Sequence, residues 1–170
     1  MTTLTTRVNI EGILAIDKPS GITSYDVIRQ LKKTLGTSKI GHCGTLDPLA
    51  SGLLVVCVGS YTKFASYIES GTKEYIAGIK FGAATTTYDS EGEFLFNNPV
   101  NLNKEQIITT LKKFQGKILQ TPPAYSAMKI NGTPAYKLAR KGLEVKLEAR
   151  KVTINSITLV DYTSDHIMVQ

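Results

Sequence analysis

The sequence predicts an α+β domain, because segments with the pattern of β-strands alternate along the chain with segments that have the pattern of amphipathic helices. The length of 170 residues fits one ordinary domain. Contents of 42% hydrophobic and 20% charged residues are typical of a globular protein and not of a disordered one. We therefore expect residues 1–170 to belong to a single domain.

Several segments have the length and composition of strands. They are GILAI (12–16), LLVVCVG (53–59), KEYIAGIKFG (73–82), EFLF (93–96) and the β-prone stretch 152–160. In 73–82, apolar residues alternate with the strand period, from Tyr75 to Phe81. HIMVQ (166–170) resembles the opening of a further strand. Because a strand that stops there would leave unpaired backbone groups, we expect a truncated chain.

Two amphipathic helices are predicted with signals at both ends. The first begins after Thr23 or Ser24, buries Val27, Ile28, Leu31 and Leu35, and ends at Gly36. The second begins with a capping box formed by Asn103 and Gln106, carries an apolar stripe that extends to Phe114, and ends near Gly116. Shorter helices are predicted over 61–69 and 136–141, whereas the segments 41–52, 82–92 and 121–132 are predicted to be loops.

Composition narrows the environment of the protein. The sequence has no apolar run of the ~20 residues that a membrane span requires, and MTTLTTRVNIEG at the start lacks a secretory pattern, so we expect a cytoplasmic protein. Cys43 and Cys57 are too few for a disulfide framework. The two histidines, His42 and His166, occur without a CxxC pair, so we predict no metal site.

Positive charge is concentrated in one part of the chain. Residues 101–151 contain eleven Lys or Arg and three Asp or Glu, which gives this segment a net charge of +8. The net charge of the whole chain is +6, so the remaining residues sum to −2. Such a segment favours a basic surface for a polyanion such as RNA. The alternative is a solvated surface that serves solubility, and charge alone does not decide between them.

The segment GHCGTLDPLASG (41–52) is the strongest candidate for chemistry. Its three glycines allow sharp turns and close approach to a ligand, and Asp47 stands at its centre, followed by a proline and then a buried strand. The alternative is an Asp-Pro turn whose carboxylate only caps a short helix. Cys43 has no evident third partner beside His42, which argues against a Cys–His nucleophile.

Five blocks, in order, resemble the TruB-type tRNA pseudouridine synthases. They are GILAIDKPSGITS (12–24), GHCGTLDPLASGLL (41–54), Lys73-Glu74-Tyr75, the connector 82–92 with Asp89, and TPPAYSAMKING (121–132) followed by Tyr136, Ala139, Arg140 and Gly142. The resemblance covers residues 12 to about 155. It implies a mixed, largely antiparallel sheet with flanking helices and a catalytic loop, and a monomeric enzyme that converts uridine-55 of the tRNA T-loop to pseudouridine without a cofactor.

The resemblance also implies roles for individual residues. Asp47 matches the essential aspartate, Tyr75 the tyrosine that stacks on the target uracil, and His42 a histidine near the flipped nucleotide. Without the resemblance, Tyr75 would be read as a core residue and His42 as a surface residue. Lys18 and Pro19 match a motif that supports the catalytic loop.

Three basic side chains, Lys63, Lys129 and Arg140, are candidates for contacts with RNA phosphates, and each could instead face solvent alone. Asp89 could form an ion pair or order its connector. Full-length family members continue with a Lys-Gly-Thr-Tyr-Ile-Arg-type motif, whose arginine pairs with the aspartate, and with a small RNA-binding domain. We expect both to be absent from residues 1–170.

The sequence leaves three alternative functions open. A non-catalytic RNA-binding or tRNA chaperone module would use the basic segment but not Asp47. An inactive truncated remnant would show an interrupted reading frame downstream of codon 170. A carboxylate hydrolase would ordinarily need a second nearby acid, and the sequence offers no clear candidate.

Overall fold

The structure is a computed structural model that describes residues 10–170. The chain divides into two compact units, which meet in sequence between Lys73 and Glu74. Every strand pairing in the described part is antiparallel. Helices and antiparallel strands therefore confirm the predicted α+β class.

The described part of the first unit has a three-stranded sheet, one helix of twelve residues and two shorter helical elements. Its elements are β1 (Gly12–Lys18), α1 (Ser24–Leu35), β2 (Ile40–His42), β3 (Gly52–Val58), the 3₁₀ helix Gly59–Phe64 and α2 (Ala65–Glu69). The strand order is β1-β3-β2. Since β3 is the central strand, its continuous apolar run has the composition expected of a strand covered by neighbours.

Helix α1 forms as its sequence predicts. Thr23 and Asp26 form a reciprocal capping box, and Gly36 ends the helix with φ 63°, in the left-handed region that glycine adopts without strain. Val27 and Ile28 are buried against Ile40 and three side chains of β3, namely Leu54, Val56 and Val58. This core fixes the sheet edge from which the segment 43–51 extends.

The second unit contains four further sheets and two helices. Its elements are β4 (Ala77–Lys80), β5 (Ala83–Thr85), β6 (Phe94–Asn97), α3 (Lys104–Lys112), β7 (Gly116–Gln120), β8 (Lys129–Ile130), β9 (Thr133–Pro134), α4 (Ala135–Ala139), β10 (Arg150–Ile154), β11 (Leu159–Tyr162) and β12 (His166–Val169). Strand β12 lies between β11 and β4, and β7 pairs with β10. Ile107 and Leu111 of α3 pack with Ile167 and Val169 of β12 to form the core.

Five local predictions differ from the structure. The predicted loops 82–92 and 121–132 contain the short strands β5 and β8. The predicted loop 41–52 begins inside β2, because residues 40–42 pair with β3. The predicted strand 73–82 is reduced to Ala77–Lys80, since its partner β12 is only four residues long. Helix α3 ends at Lys112, and Phe114 lies beyond it with 49% of its surface exposed. The predicted strand at the end of the chain is confirmed as β12.

Candidate active site

The segment 43–51 connects β2 to β3 and carries Asp47. At its start the Cys43 amide donates a hydrogen bond to the Val55 carbonyl (2.8 Å), which extends the pairing of β2 with β3 by one residue. Gly44 then turns with φ 92°, a conformation that strains other residues. Because β3 is anchored by buried side chains, both ends of the segment are held by the core.

Asp47 lies in a tight turn and its carboxylate faces solvent. The Ala50 amide donates to the Asp47 carbonyl (3.0 Å), with Pro48 at the second position of the turn, where a fixed φ is favourable. Within residues 10–170 the carboxylate accepts no hydrogen bond and joins no ion pair. It therefore does not cap a helix, and it is available to a ligand.

Lys18 supports the turn from below. The side chain is completely buried, and its ammonium group donates to the carbonyls of Ile22 (2.8 Å), Pro19 (3.0 Å) and Pro48 (3.5 Å). A buried ammonium is stable only when such oxygens replace its water shell. Lys18 thus ties the segment after β1 to the residue that follows Asp47.

Two further hydrogen bonds join the same segments. The Gly21 amide donates to the Pro48 carbonyl (2.7 Å), and the Ser20 hydroxyl donates to the Leu49 carbonyl (2.9 Å). Gly21 has φ 92°, which permits the close backbone approach. Residues 18–21 consequently act as a brace for the turn.

Ser24 is a supporting residue that the sequence did not reveal. Only 2% of its surface is exposed; its hydroxyl donates to the Leu46 carbonyl (2.9 Å) and accepts from the Leu46 amide (3.0 Å). The sequence suggested Ser24 only as an alternative helix cap, a role that Thr23 fills. Its burial at the start of α1 gives it a long-range contact with the residue before Asp47.

We expect Ser24→Ala to lower the free energy of unfolding by about 1–3 kcal/mol. The amide and the carbonyl of Leu46 would both lose the Ser24 hydroxyl, their hydrogen-bond partner, in a partly buried position. Urea denaturation measures this change. Ser38→Ala is the control, since Ser38 is exposed and is expected to change stability by less than about 0.5 kcal/mol. Equal effects in the two variants would contradict the bracing role of Ser24.

His42 ends β2 with a defined ring orientation. Its Nδ1 lies 2.6 Å from the Gly44 carbonyl, so that nitrogen carries the proton and donates. The ring is half-buried, and the hydrogen bond leaves Nε2 as the free ring nitrogen. His42 therefore lies directly before the segment 43–51, and Gly44 of that segment orients its ring.

The other predicted residues occupy exposed positions. Tyr75 precedes β4 in the second unit and is 58% exposed, which removes the alternative that it is a core residue of that unit. Lys63 lies in the 3₁₀ helix of the first unit, Lys129 in β8, and Arg140 after α4, where its guanidinium lies 5.6 Å from the centre of the Tyr136 ring. Lys18, Pro19, His42 and Asp47 all lie in the first unit, where Lys18 bonds to Pro48 and His42 to Gly44, on either side of Asp47 in the sequence.

Asp89 orders its own connector. One carboxylate oxygen accepts from the Thr87 hydroxyl (2.5 Å) and from the Glu91 amide (2.9 Å). The Thr85 hydroxyl also donates to the Asp89 carbonyl (2.7 Å). Of the two roles considered for Asp89, the described residues show the ordering of the connector.

Three further observations concern a surface depression, metal binding and membrane spans in the described residues. An open depression at the start of α3 is lined by Leu102, Asn103, Glu105, Gln106, Thr109 and Thr110, and none of the predicted site residues is among them. Across residues 10–170, no three His, Cys, Asp or Glu side chains are grouped as a metal site would require. No helix in that same range combines the length and apolar character needed to span a membrane.

A match to a protein-family model places the chain among the pseudouridylate synthases. Residues 32–170 match the model of the TruB family pseudouridylate synthase (N terminal domain), and the chain belongs to that family. The matched range includes Asp47 and Tyr75, whereas the brace at residues 18–21 lies before it.

Individual relatives agree with this assignment. The chain is 55% identical over 153 residues to the tRNA pseudouridine synthase B of Fusobacterium nucleatum, and 49% identical over 152 residues to that of Clostridium kluyveri. These alignments cover 90% and 89% of this chain and 53% of each relative. The chain therefore spans about half the length of these curated relatives.

Solved structures show the same fold. One chain in the structure of a Cbf5–Nop10–Gar1 complex is similar to this protein, with a TM-score of 0.68 and 25% identity. The similarity covers 96% of this chain and 39% of that chain. A second match is the structure of an H/ACA ribonucleoprotein bound to a substrate RNA containing 2'-deoxyuridine. The similarity covers 96% of this chain and 37% of the matched chain of that structure, with a TM-score of 0.65. At 22% identity, the second similarity concerns the fold alone.

Proposed function

We propose that the protein containing this chain isomerises uridine-55 in the T-loop of tRNA to pseudouridine, in the cytoplasm, with Asp47 as its catalytic carboxylate. The observation that carries the proposal is the exposed Asp47 side chain, free of partners within residues 10–170 and held on a braced turn. Membership of the TruB family and relatives named tRNA pseudouridine synthase B support the reaction type.

The reaction requires a carboxylate in a fixed place. The bond between uracil and ribose breaks, the base turns, and a new bond forms from carbon 5, which gives up its proton. Substrate and product are isomers, so no electrons enter or leave. A carboxylate can attack or deprotonate the nucleotide and then be released, and Asp47 is positioned by its turn to do either.

A uridine inside a folded T-arm must leave its stack before a protein side chain can reach it. Extrusion costs a few kcal/mol, which contacts with the protein must offset. In this proposal the oriented ring of His42 occupies space vacated by the nucleotide, and Tyr75 stacks on the extruded uracil. One aromatic platform contributes ~1–3 kcal/mol per stacked base, which is of the required size.

The basic segment 101–151 supports an RNA partner. Of its eleven Lys or Arg side chains, Lys146 forms an ion pair with Glu144, and the other ten form no ion pair within residues 10–170. A surface chosen for solubility alone would gain from interspersed acids, whereas unpaired cations are free to neutralise phosphates. Lys129 and Arg140 are the exposed members for which the family resemblance suggests such contacts.

We expect the double substitution Lys129→Ala and Arg140→Ala to weaken the binding of T-arm RNA and to flatten its salt dependence. Each lost phosphate contact lowers the slope of log K against log salt by about 0.7–0.9. Titrations at several salt concentrations measure the slope. The matched control removes Lys33 and Lys39, two exposed lysines outside the basic segment; equal slopes in the two double variants would refute the assignment.

The proposed reaction is tested with the complete gene product that contains these 170 residues. It is incubated with T-arm RNA, and pseudouridine is mapped by chemical modification, with an RNA carrying cytidine at position 55 as control. We expect product at position 55 alone. RNA binding without product, unaffected by Asp47→Asn, would instead identify a non-catalytic RNA-binding module.

A further inference from the structure

Cys43 and Cys57 form a close pair of thiols beside the proposed active site. Cys57 is completely buried in the central strand β3, and Cys43 is half-buried at the end of β2. Their sulfur atoms lie 3.3 Å apart. Both are free thiols, and none of the interactions proposed for catalysis uses them.

The two cysteines are diagonal neighbours across the β2–β3 pair. Gly41 lies opposite Cys57, and Cys43 bonds to Val55, so the thiols are offset by two residues on the same face of the sheet. Diagonal neighbours in a sheet have Cα atoms about 7–8 Å apart. A disulfide prefers about 4.4–6.8 Å. The contact is therefore close enough for a bond, but not in the backbone geometry that a disulfide favours.

We propose that Cys43 and Cys57 form a reversible disulfide when the protein meets a peroxide, and that closing this bond displaces the segment that carries Asp47. The Cys43 thiolate attacks a peroxide oxygen and forms a sulfenic acid, releasing hydroxide. The Cys57 thiol attacks that sulfur and releases water. The two sulfur atoms lose two electrons, which reduce the peroxide, and the hydroxide takes up the proton released by Cys43.

The displacement follows from where each cysteine is held. The sulfur atoms must approach by about 1.3 Å to reach bonding distance. Cys57 is fixed inside the core of the first unit, whereas Cys43 is the first residue beyond β2. Cys43 therefore moves, and the change reaches Gly44, whose carbonyl accepts from His42, and then Leu46, which is bonded to Ser24.

Strain in the closed state makes the bond easy to reduce. A disulfide that distorts its backbone has a higher reduction potential than a relaxed structural one. A thiol reductant is consequently sufficient to reopen it.

The local environment makes the reaction slow at neutral pH. Burial raises the pKa of the Cys43 thiol to about 11, with smaller contributions from the hydrogen bond and electrostatic interaction with Cys57 and from the negative charge of Glu69. Cys57 lies in β3, Glu69 lies in α2, and His42 is the residue directly before Cys43. Since the thiolate is the reactive form, the oxidation rate rises about tenfold per pH unit below that pKa.

The test uses the 170-residue chain and two readouts that need no RNA. After hydrogen peroxide at pH 8, the chain is unfolded and treated with iodoacetamide, and its intact mass is measured. We expect no alkylated thiol and a mass lower by two hydrogens, and we expect dithiothreitol to restore two alkylatable thiols. In the folded oxidised chain, hydrogen exchange of the Leu46 amide is expected to be faster, because its bond to Ser24 is broken.

Cys43→Ser and Cys57→Ala are the matched controls, and both are expected to show the same Leu46 exchange with and without peroxide. Cys43→Ser is expected to keep one alkylatable thiol, whereas Cys57→Ala is expected to gain oxygen at Cys43, because its sulfenic acid has no thiol partner. Two alkylatable thiols after peroxide, or added oxygen in place of the disulfide, would overturn the proposal. A disulfide with unchanged Leu46 exchange would overturn the displacement. Only the consequence for catalysis rests on the proposed function, and a failure to form pseudouridine leaves both readouts unaffected.

Discussion

Asp47→Asn is expected to reduce pseudouridine formation by at least ~10²–10⁴-fold, the range typical of removing a general acid or base, while RNA binding is retained. The amide has nearly the same shape as the carboxylate but cannot act as a base or a nucleophile. Because the Asp47 side chain is exposed and unpaired within residues 10–170, the free energy of unfolding should change by less than about 0.5 kcal/mol. Single-turnover assays with T-arm RNA measure the rate.

A matched control removes a different carboxylate. Asp161 is exposed on β11, and its oxygen accepts a hydrogen bond from the Tyr162 amide (2.8 Å), a bond that an asparagine oxygen can also accept. Asp161→Asn therefore makes the same change of charge with little effect on structure, and full activity is expected. Product formation by the Asp47→Asn variant at the rate of the unaltered protein would refute the role of Asp47.

Local signals in the sequence predicted the elements that hold the candidate site. Thr23, Asp26 and Gly36 bound α1 through interactions within a few residues, so the sequence near them was sufficient. The apolar run 53–59 predicted the buried strand found at Gly52–Val58. By contrast, β2 was missed, because its glycine-rich sequence has no strand pattern and the element exists through its pairing with β3.

The contacts that position Asp47 depend on long-range geometry. Ser24 and Leu46 are 22 residues apart, and Lys18 and Pro48 are 30 residues apart. Sequence periodicity describes which side chains share a face, but it does not specify which distant carbonyl a buried group meets. The same reasoning explains Tyr75: alternation over 73–82 predicted an inward side chain, whereas the pairing of β4 begins only at Ala77.

The resemblance to a family and the structure contribute different parts of the site. Motif similarity assigned Asp47, His42 and Tyr75 to roles that composition alone did not distinguish from a turn, a surface and a core residue. The structure removes the helix-cap alternative for Asp47 and the core alternative for Tyr75 within its unit. The assignment of chemistry to Asp47 remains a proposal that the asparagine variant tests.

Lys18→Met is expected to lower the free energy of unfolding of the first unit by about 2–4 kcal/mol, because hydrogen bonds to a charged group typically contribute ~1.5–3 kcal/mol and the partly buried carbonyls that Lys18 contacts would lose this donor. Methionine retains most of the apolar stem but donates nothing to the carbonyls of Ile22 and Pro48. Urea denaturation followed by far-ultraviolet circular dichroism measures the loss.

Lys33→Met separates this effect from a simple loss of positive charge. Lys33 is exposed in the last turn of α1, where a basic side chain contributes only about 0.3–1 kcal/mol through the helix dipole. If Lys18 is a structural brace, its variant is much less stable than the Lys33 variant, and its Leu46 and Ala50 amides exchange faster because the turn has lost its support. Equal stability of the two variants would show that burial of the ammonium does not hold the turn, and positioning of Asp47 would then rest on Ser20, Gly21 and Ser24 alone.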